Sequence, residues 1–350
     1  MVNLRASFEG KRVWLSGHTG FKGSWLSEWL LQLGAFVHGY ALAPDTTPSL
    51  FDQLFLADRL EHEIADIRNG ETVRKSVHAF RPDFVVHMAA QPLVRRSYTM
   101  PVETYETNVM GTTHVLEALR DLGSACSVVI VTTDKVYENH ECGRAYEEGD
   151  PLGGHDPYSS SKAMAEIVTA AYRNSYFQNG LIRIASARAG NVIGGGDWAE
   201  DRIIPDAMRA LNQAGTISVR NPKAVRPWQH VLEPLSGYLT LAAGLAEKPS
   251  LATAFNFGPG PDSNRTVSDL VKEVLKNRAG SWQDASDPSG LHEATLLNLS
   301  IAKADQLLGW KPKWAFEETI SKTVSWYERT HSGIITPLEI TRSQIEEYNA

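Results

Sequence analysis

The tightest constraint on the fold is a glycine at every third position near the amino terminus, in the run Val13-Trp14-Leu15-Ser16-Gly17-His18-Thr19-Gly20-Phe21-Lys22-Gly23-Ser24-Trp25-Leu26. Residues before Gly17 are apolar and β-prone, and those after Gly23 carry helical spacing. Glycines set this way between a strand and a helix meet three needs: a tight turn, close approach of backbone to a pyrophosphate, and close helix–sheet packing with the helix N-terminus toward the phosphates. The pattern predicts a dinucleotide-binding βα unit lined by Gly17, His18, Thr19, Gly20, Phe21, Lys22 and Gly23.

Further units follow. Strand-like runs over 12–16, 36–42, 84–88, 127–132 and 181–187 alternate with helix-like stretches over 23–33, 70–80, 101–122 and 158–178. Such alternation predicts an α/β chain with a doubly wound, Rossmann-like parallel sheet. Beyond Arg188 the regularity is lost at the loop Gly194-Gly195-Gly196-Asp197-Trp198, where a smaller α+β substrate lobe is expected to begin. A helix over 228–246 and a strand over 254–257 can return to the first domain. The expected division is a cofactor domain of 1–187 with 229–257, and a substrate domain of 188–228 with 258–350. The tail from Ile334 reads as an extra helix or a loose end.

With 350 residues the chain can bury a large core. A net charge of −7 offers no basic footprint for nucleic acid, so a small ligand is the expected partner. The two cysteines, Cys126 and Cys142, read as reduced thiols. Residues 1–10 carry Arg5 and Glu9 and no apolar stretch of signal-peptide length, and no later window approaches a membrane span. A cytoplasmic chain without membrane or metal partner is expected.

The second strand ends in Gly39-Tyr40-Ala41-Leu42-Ala43-Pro44-Asp45, with no carboxylate where the adenosine ribose is ordinarily held, so this segment leaves NAD and NADP both open. Asp66 and Ile67, after a third strand-like run, read equally as a partner for the adenine amine or as a turn.

Tyr158 and Lys162 stand four residues apart at the start of a helix, on one face. An ammonium there favours the phenolate and draws a pKa of about 10 toward neutrality, making the tyrosine a base for a substrate hydroxyl. The strand over 127–132 ends in Thr132-Thr133-Asp134-Lys135, and functional residues gather at the carboxyl ends of strands in such sheets.

Together with His87-Met88-Ala89-Ala90-Gln91, Asn108 and Arg188-Ala189-Gly190-Asn191, these motifs resemble the extended short-chain dehydrogenase/reductase family over about the first 330 residues. The resemblance implies NAD as cofactor, with contacts from Ala89, Ala90, Gln91, Asn108, Thr132, Tyr158 and Lys162, and a homodimer or homotetramer. Within the family, the stretches 17–25, 132–139 and 226–231 are similar to 4,6-dehydratases that act on CDP-glucose. For that branch the resemblance implies that Tyr158, with Thr133 and Lys162, oxidises the sugar at C4 as hydride passes to NAD. Water is then lost across C5 and C6, and hydride returns to C6 with no net redox change. Related enzymes acting on dTDP-glucose carry a glutamate after the aspartate as the C5 base; here Lys135 stands there. Lys135 is then either a neutral base or the cation that steadies an enolate, and Asp134 has to be protonated to act as acid, which a nearby ammonium opposes.

Arg202, Arg220, Arg226 and Asn191 are the candidates for the nucleotide sugar, since guanidinium forks suit a diphosphate. The resemblance favours Arg226 and Asn191, whereas Arg202 and Arg220 read more readily as surface ion pairs. Trp198 and Trp228 read as packing residues rather than stacking platforms. Two other functions fit part of the pattern. A nucleotide-sugar epimerase or reductase needs Tyr158 and Lys162 but not Asp134-Lys135. A non-catalytic NAD-binding regulatory protein needs none of the four.

Overall fold

Short runs that are apolar on both faces form a sheet buried on both sides. The computed structural model describes residues 2–141, 143–178, 180–286 and 297–350. Seven parallel strands make the sheet: β1 (Arg12–Ser16), β2 (Phe36–Ala41), β3 (Glu61–Ile64), β4 (Phe84–His87), β5 (Cys126–Val131), β6 (Ile182–Ala189) and β7 (Ala254–Phe257). Their spatial order is β7-β6-β5-β4-β1-β2-β3. The chain reverses its direction of travel between β1 and β4, and ligands bind at the carboxyl ends of strands at such a switch point. The doubly wound sheet is therefore the one the sequence predicts, and it belongs to the Rossmann class.

One apolar cluster fills the face that carries helices Phe21–Gln32 and Leu232–Glu247, and a second packs Val73, Val77, Val115 and Leu119 against Val85 and Val128 on the other face. β7 pairs in parallel with β6, from Ala254 opposite Ser186 to Phe257 opposite Ala189. The chain thus comes back to the sheet after the segments over 190–253. The helix expected over 228–246 does not include Trp228. That residue precedes a short bridge at Gln229–His230, and the helix starts at Leu232.

The expected division does not describe the carboxyl-terminal residues well. Helix Pro337–Asn349 packs on helix Phe21–Gln32, the helix that follows the glycine loop. Arg342 Nε donates to the buried Glu28 carboxylate at 2.7 Å, and the Tyr348 ring meets Trp29 edge-on. The tail from Ile334 is therefore an ordered brace, opened by a capping box in which Thr336 and Glu339 satisfy each other's backbone groups.

Helix 101–122 of the sequence reading is a single run containing a widened π turn over Glu106–Met110. Such turns re-aim side chains and recur at functional sites; this one carries Asn108. Cys126 is buried, and burial pushes its thiol above the ordinary range. Cys142 lies outside the described residues.

Candidate active site

Two of the three loop glycines are required by the protein itself. Gly17 has φ +79°, and a side chain there would press on the backbone of Ala89 at 2.8 Å; at Gly23 a Cβ would lie 2.0 Å from the Gly17 carbonyl oxygen. Gly20 differs. A Cβ there would meet nothing closer than Gly17 O at 3.5 Å, and Gly20 caps helix Phe21–Gln32 without any side-chain hydrogen bond to the first-turn N–H groups. An open approach at Gly20 and unspent helix N–H donors fit a pyrophosphate.

Strand ends build the rest of the cradle. Ser16 Oγ, at the end of β1, accepts from the backbone N–H of Met88 and Ala89 at 3.1 Å each and pairs with His87 Nδ1 at 2.7 Å. Burial holds His87 neutral, with its pKa pushed down to about 3. Asn108 accepts from Gln91 N–H at 2.9 Å, donates to Gln91 O at 3.1 Å and donates to Ser161 Oγ at 2.8 Å. It thereby fixes the 89–91 loop to the helix of Tyr158. Gln91 spends its own side chain on Thr104 and Leu93.

Several sequence-predicted cofactor residues have their side chains engaged elsewhere. The His18 imidazole is fully buried against Gly39, between Phe51 and His62, and burial pushes its pKa down to about 3. Only the His18 backbone is left to face a phosphate. Thr19 Oγ1 donates to Leu42 O at 2.8 Å, and the Thr132 hydroxyl donates to Glu166 at 2.5 Å. Asp66 lies outside the main cleft and holds Arg68 through both carboxylate oxygens, which keeps its carboxyl below the usual range. The Ile67 side chain packs against Gly111.

A cleft of about 960 Å³ opens at the carboxyl ends of β4 to β6. It brings together Lys22, Thr132, Thr133, Lys135, Tyr158, Asn191, Arg202, Arg220 and Arg226, drawn from widely separated stretches of the chain. Asp134, between the lining residues Thr133 and Lys135 in the chain, is buried and does not itself line the cleft; it accepts from Thr133 Oγ1 at 2.9 Å, and its Oδ2 would sit 2.9 Å from a Cβ at position 190, so Gly190 leaves room for the carboxyl. Lys135 Nζ reaches Asn191 Oδ1 at 3.4 Å and Asp134 Oδ1 at 4.0 Å.

Tyr158 and Thr133 are hydrogen-bonded, Lys162 lies one turn further along the helix and is buried, and the electrostatics differ from the expectation. Burial dominates and pushes the Tyr158 phenol up to about 12, against a lowering hydrogen bond with Thr133. The Lys162 ammonium is drawn down to about 8 by burial and donates to Val131 O at 3.0 Å. Loss of solvent around the phenol, not the lysine, therefore sets the Tyr158 proton affinity.

Arg202 pairs with Asp197 at 3.2 Å and Arg220 with Asp201 at 2.5 Å, so both are cleft residues and ion-paired residues together. Arg226 NH1 donates to Val225 O at 3.0 Å. Trp228 Nε1 bonds Arg265 O and Trp198 Nε1 bonds Gln53, both as packing residues. Sequence reasoning missed several contributors. Arg95 and Arg96, on helix Val94–Thr99, line the cleft. Tyr238 accepts from Lys22 Nζ at 2.9 Å, and burial beside Lys162 and Arg202 draws that lysine down to about 7. Glu166, one more turn along the face of Tyr158 and Lys162, was readable from the four-residue spacing alone.

A strand-end triad facing a glycine-loop helix across a switch point defines a short-chain dehydrogenase/reductase type of nucleotide-sugar enzyme. A sequence model of the family described as GDP-mannose 4,6 dehydratase matches residues 15–323, and the chain belongs to that family. It is 49% identical, over 92% of its length and 91% of the relative's, to a CDP-glucose 4,6-dehydratase of Salmonella typhimurium strain LT2. In structure it is similar to the dTDP-glucose 4,6-dehydratase DesIV of Streptomyces venezuelae with NAD and TYD bound, with TM-score 0.79, 25% identity and coverage of 93% and 99% of the two chains. It also resembles the UDP-glucose 4-epimerase of Thermus thermophilus in complex with NAD, with TM-score 0.78, 27% identity and coverage of 91% and 99%.

Proposed function

We propose that this chain is an NAD-dependent CDP-glucose 4,6-dehydratase, a hydro-lyase that converts CDP-glucose to CDP-4-keto-6-deoxyglucose. The observation that carries the reading is the gathering of Thr133, Lys135 and Tyr158 in one cleft, over a buried Asp134, in a chain half identical to an enzyme of that name. The Asp134-Lys135 pair favours elimination over the epimerase or reductase reading, which has no use for it.

The residues present fit NAD: the open approach at Gly20, the unspent N–H groups of the helix that follows it, and the loop held by Asn108. NAD, when bound, supplies a cationic ring that accepts hydride from the sugar and gives it back within the same turnover. Tyr158 takes the proton of the C4 hydroxyl from its ionised state, the minor form of a phenol pushed up to about 12, with Thr133 orienting the oxygen through its hydrogen bond. Lys162, held at Val131 O, keeps a positive charge near the phenolate as it forms. The C4 ketone acidifies the C5 proton. Lys135, on the short turn Asp134–Val136, removes that proton or steadies the resulting enolate, and Asp134 delivers a proton to the departing C6 hydroxyl. Arg202, Arg220, Arg226 and Asn191 hold the diphosphate and sugar, with Arg95 beside Arg220 through their shared partner Asp201.

We also infer a homodimer in the cytoplasm. No described helix is long and apolar enough to cross a membrane. Val102 (68% exposed), Met110 (46%), Met164 (45%) and Ile167 (57%) project from two mutually packed helical runs and form an apolar face suited to a second copy. The function is tested by incubating the protein with NAD and a panel of CDP-, dTDP-, UDP- and GDP-glucose and measuring the alkali-induced absorbance of a 4-keto sugar. Turnover confined to CDP-glucose is expected. Absence of a keto product with CDP-glucose would refute the reading.

A further inference from the structure

Tyr158, Lys162 and Glu166 succeed one another at four-residue intervals on helix Pro157–Tyr176, and all three side chains are buried. The reaction just described uses the first two. Glu166 is held from both sides: Oε1 accepts from Thr132 Oγ1 at 2.5 Å, Oε2 accepts from Ser186 Oγ at 2.7 Å, and Arg188 NH2 makes a charged hydrogen bond to Oε2 at 2.9 Å. Thr132 directly follows β5 and precedes Thr133, Asp134 and Lys135; Ser186 and Arg188 lie on β6. A single carboxylate therefore ties the catalytic helix to the two strands whose ends carry the rest of the site. Arg188 extends the tie by donating to Tyr137 Oη at 2.8 Å, and Tyr137 donates to Asn256 Oδ1 on β7 at 2.7 Å.

We propose that Glu166 is a positioning residue for the dehydration: it sets the distance between the Tyr158–Lys162 face and the Thr133–Lys135 turn, and its charge keeps Lys162 cationic. The inference rests on the dehydratase reading for its kinetic consequence but not for its electrostatic one. The titratable groups that act on Lys162 are Glu166 on its own helix, His87 on β4 and Lys22 on the glycine-loop helix, with Tyr158 one turn away on the same helix. His87 is neutral and Lys22 is repulsive, so Glu166 is the group that opposes the loss of the Lys162 proton. Glu166 itself is faced by Arg188 and Arg173. Replacing Glu166 by glutamine removes the attraction and leaves Arg188 uncompensated, and both effects lower the Lys162 pKa.

The test is a pH titration by nuclear magnetic resonance of the holoenzyme labelled with carbon-13 at the lysine Cε, the Lys162 signal being assigned with Lys162→Arg. Wild type, Glu166→Gln and Glu166→Asp are compared, and kcat and KM for CDP-glucose are measured in parallel. In Glu166→Gln the Lys162 midpoint is expected to fall by about one pH unit or more, and kcat by about tenfold or more with KM within about twofold. Glu166→Asp recovers part of both. An unmoved midpoint together with a wild-type kcat overturns the proposal. If Glu166→Gln does not fold, Thr132→Val cuts the tether while leaving the ion pair: a tenfold loss of kcat at unchanged KM and unchanged Lys162 midpoint supports the positioning role, and a wild-type kcat refutes it. Failure of the wild type to convert CDP-glucose would sink the dehydratase reading, yet the titration, which needs no turnover, still decides whether Glu166 governs Lys162.

Discussion

Gly20 and Gly23 lie one helical turn apart, and the structure assigns them opposite consequences on substitution by alanine. At Gly23 the new Cβ would lie 2.0 Å from Gly17 O, short of ordinary contact at 3.4 Å by roughly 1.4 Å. Helix Phe21–Gln32 has no room to retreat, because Trp25, Leu26, Trp29 and Leu30 are fully buried beneath it. Relief has to come from displacing packed core, which costs about 1–3 kcal/mol. Gly23→Ala should therefore lower the melting temperature of the cofactor-free protein by several degrees. Gly20→Ala meets no such obstacle: its Cβ makes an ordinary 3.5 Å contact, and φ −78° with ψ 170° suits alanine. Cofactor-free stability should stay within about 0.5 kcal/mol of wild type. A methyl group on the surface where the pyrophosphate approaches should nonetheless weaken NAD binding about tenfold or more, equivalent to about 1.4 kcal/mol. Calorimetric titration with NAD and thermal melts without it separate the two effects. Wild-type NAD affinity in Gly20→Ala would mean that the pyrophosphate does not lie on this loop, and an unshifted melt in Gly23→Ala would refute the packing argument.

Further outcomes follow from the same geometry. Tyr158→Phe should lower kcat by about 10²- to 10⁴-fold while CDP-glucose affinity, measured by calorimetry, stays within a few fold. Lys135→Met should abolish exchange of the C5 proton with solvent deuterium while C4 oxidation in a single turnover survives; persistent exchange would remove Lys135 from that step. Lys162 titrates at about 8 in the folded chain against 10.5 ordinarily, so the unfolded chain binds more protons between those values and stability rises with pH across that window. Below it the burial penalty is fully present. Lys162→Met should accordingly be inactive yet more stable than wild type at pH 7, by about 1–2 kcal/mol after the lost bond to Val131 O, with the advantage vanishing as the pH nears 10.5. Denaturant melts at several pH values check the sign. Ile167→Glu should convert a dimer to monomer in sedimentation, and a monomeric wild type would contradict the inferred interface.

Much of the fold was legible because its cues are local. The strands over 12–16 and 254–257 and the helix over 70–80 coincide with β1, β7 and Gly70–Phe80, since apolar runs and helical spacing are short-range properties. β3 is the faintest of them: Glu61-His62-Glu63-Ile64 is polar and half-exposed, reads only as a strand-like run before Asp66, and is made a strand by pairing with β2 at the sheet edge. The docking of helix Pro337–Asn349 was hidden for a different reason. Its anchors, Arg342 to Glu28 and Tyr348 to Glu233, join residues more than a hundred positions apart. The site divides in the same way. Tyr158, Lys162 and the 132–135 run announce themselves by spacing and by position at a strand end. That the His18 imidazole turns into the core, that Thr132 serves Glu166, and that the Tyr158 phenol is pushed up rather than down all depend on burial, which no local pattern encodes.

The most direct measurement follows one hydrogen through the reaction. CDP-glucose carrying deuterium at C4 is incubated with the protein and NAD, and the product is examined by nuclear magnetic resonance. Recovery of the deuterium in the C6 methyl group of a 4-keto sugar is the predicted result, because the hydride taken from C4 is the one returned to C6 within the same turnover. Deuterium retained at C4 of an epimerised sugar, or lost to solvent, would contradict the dehydratase assignment.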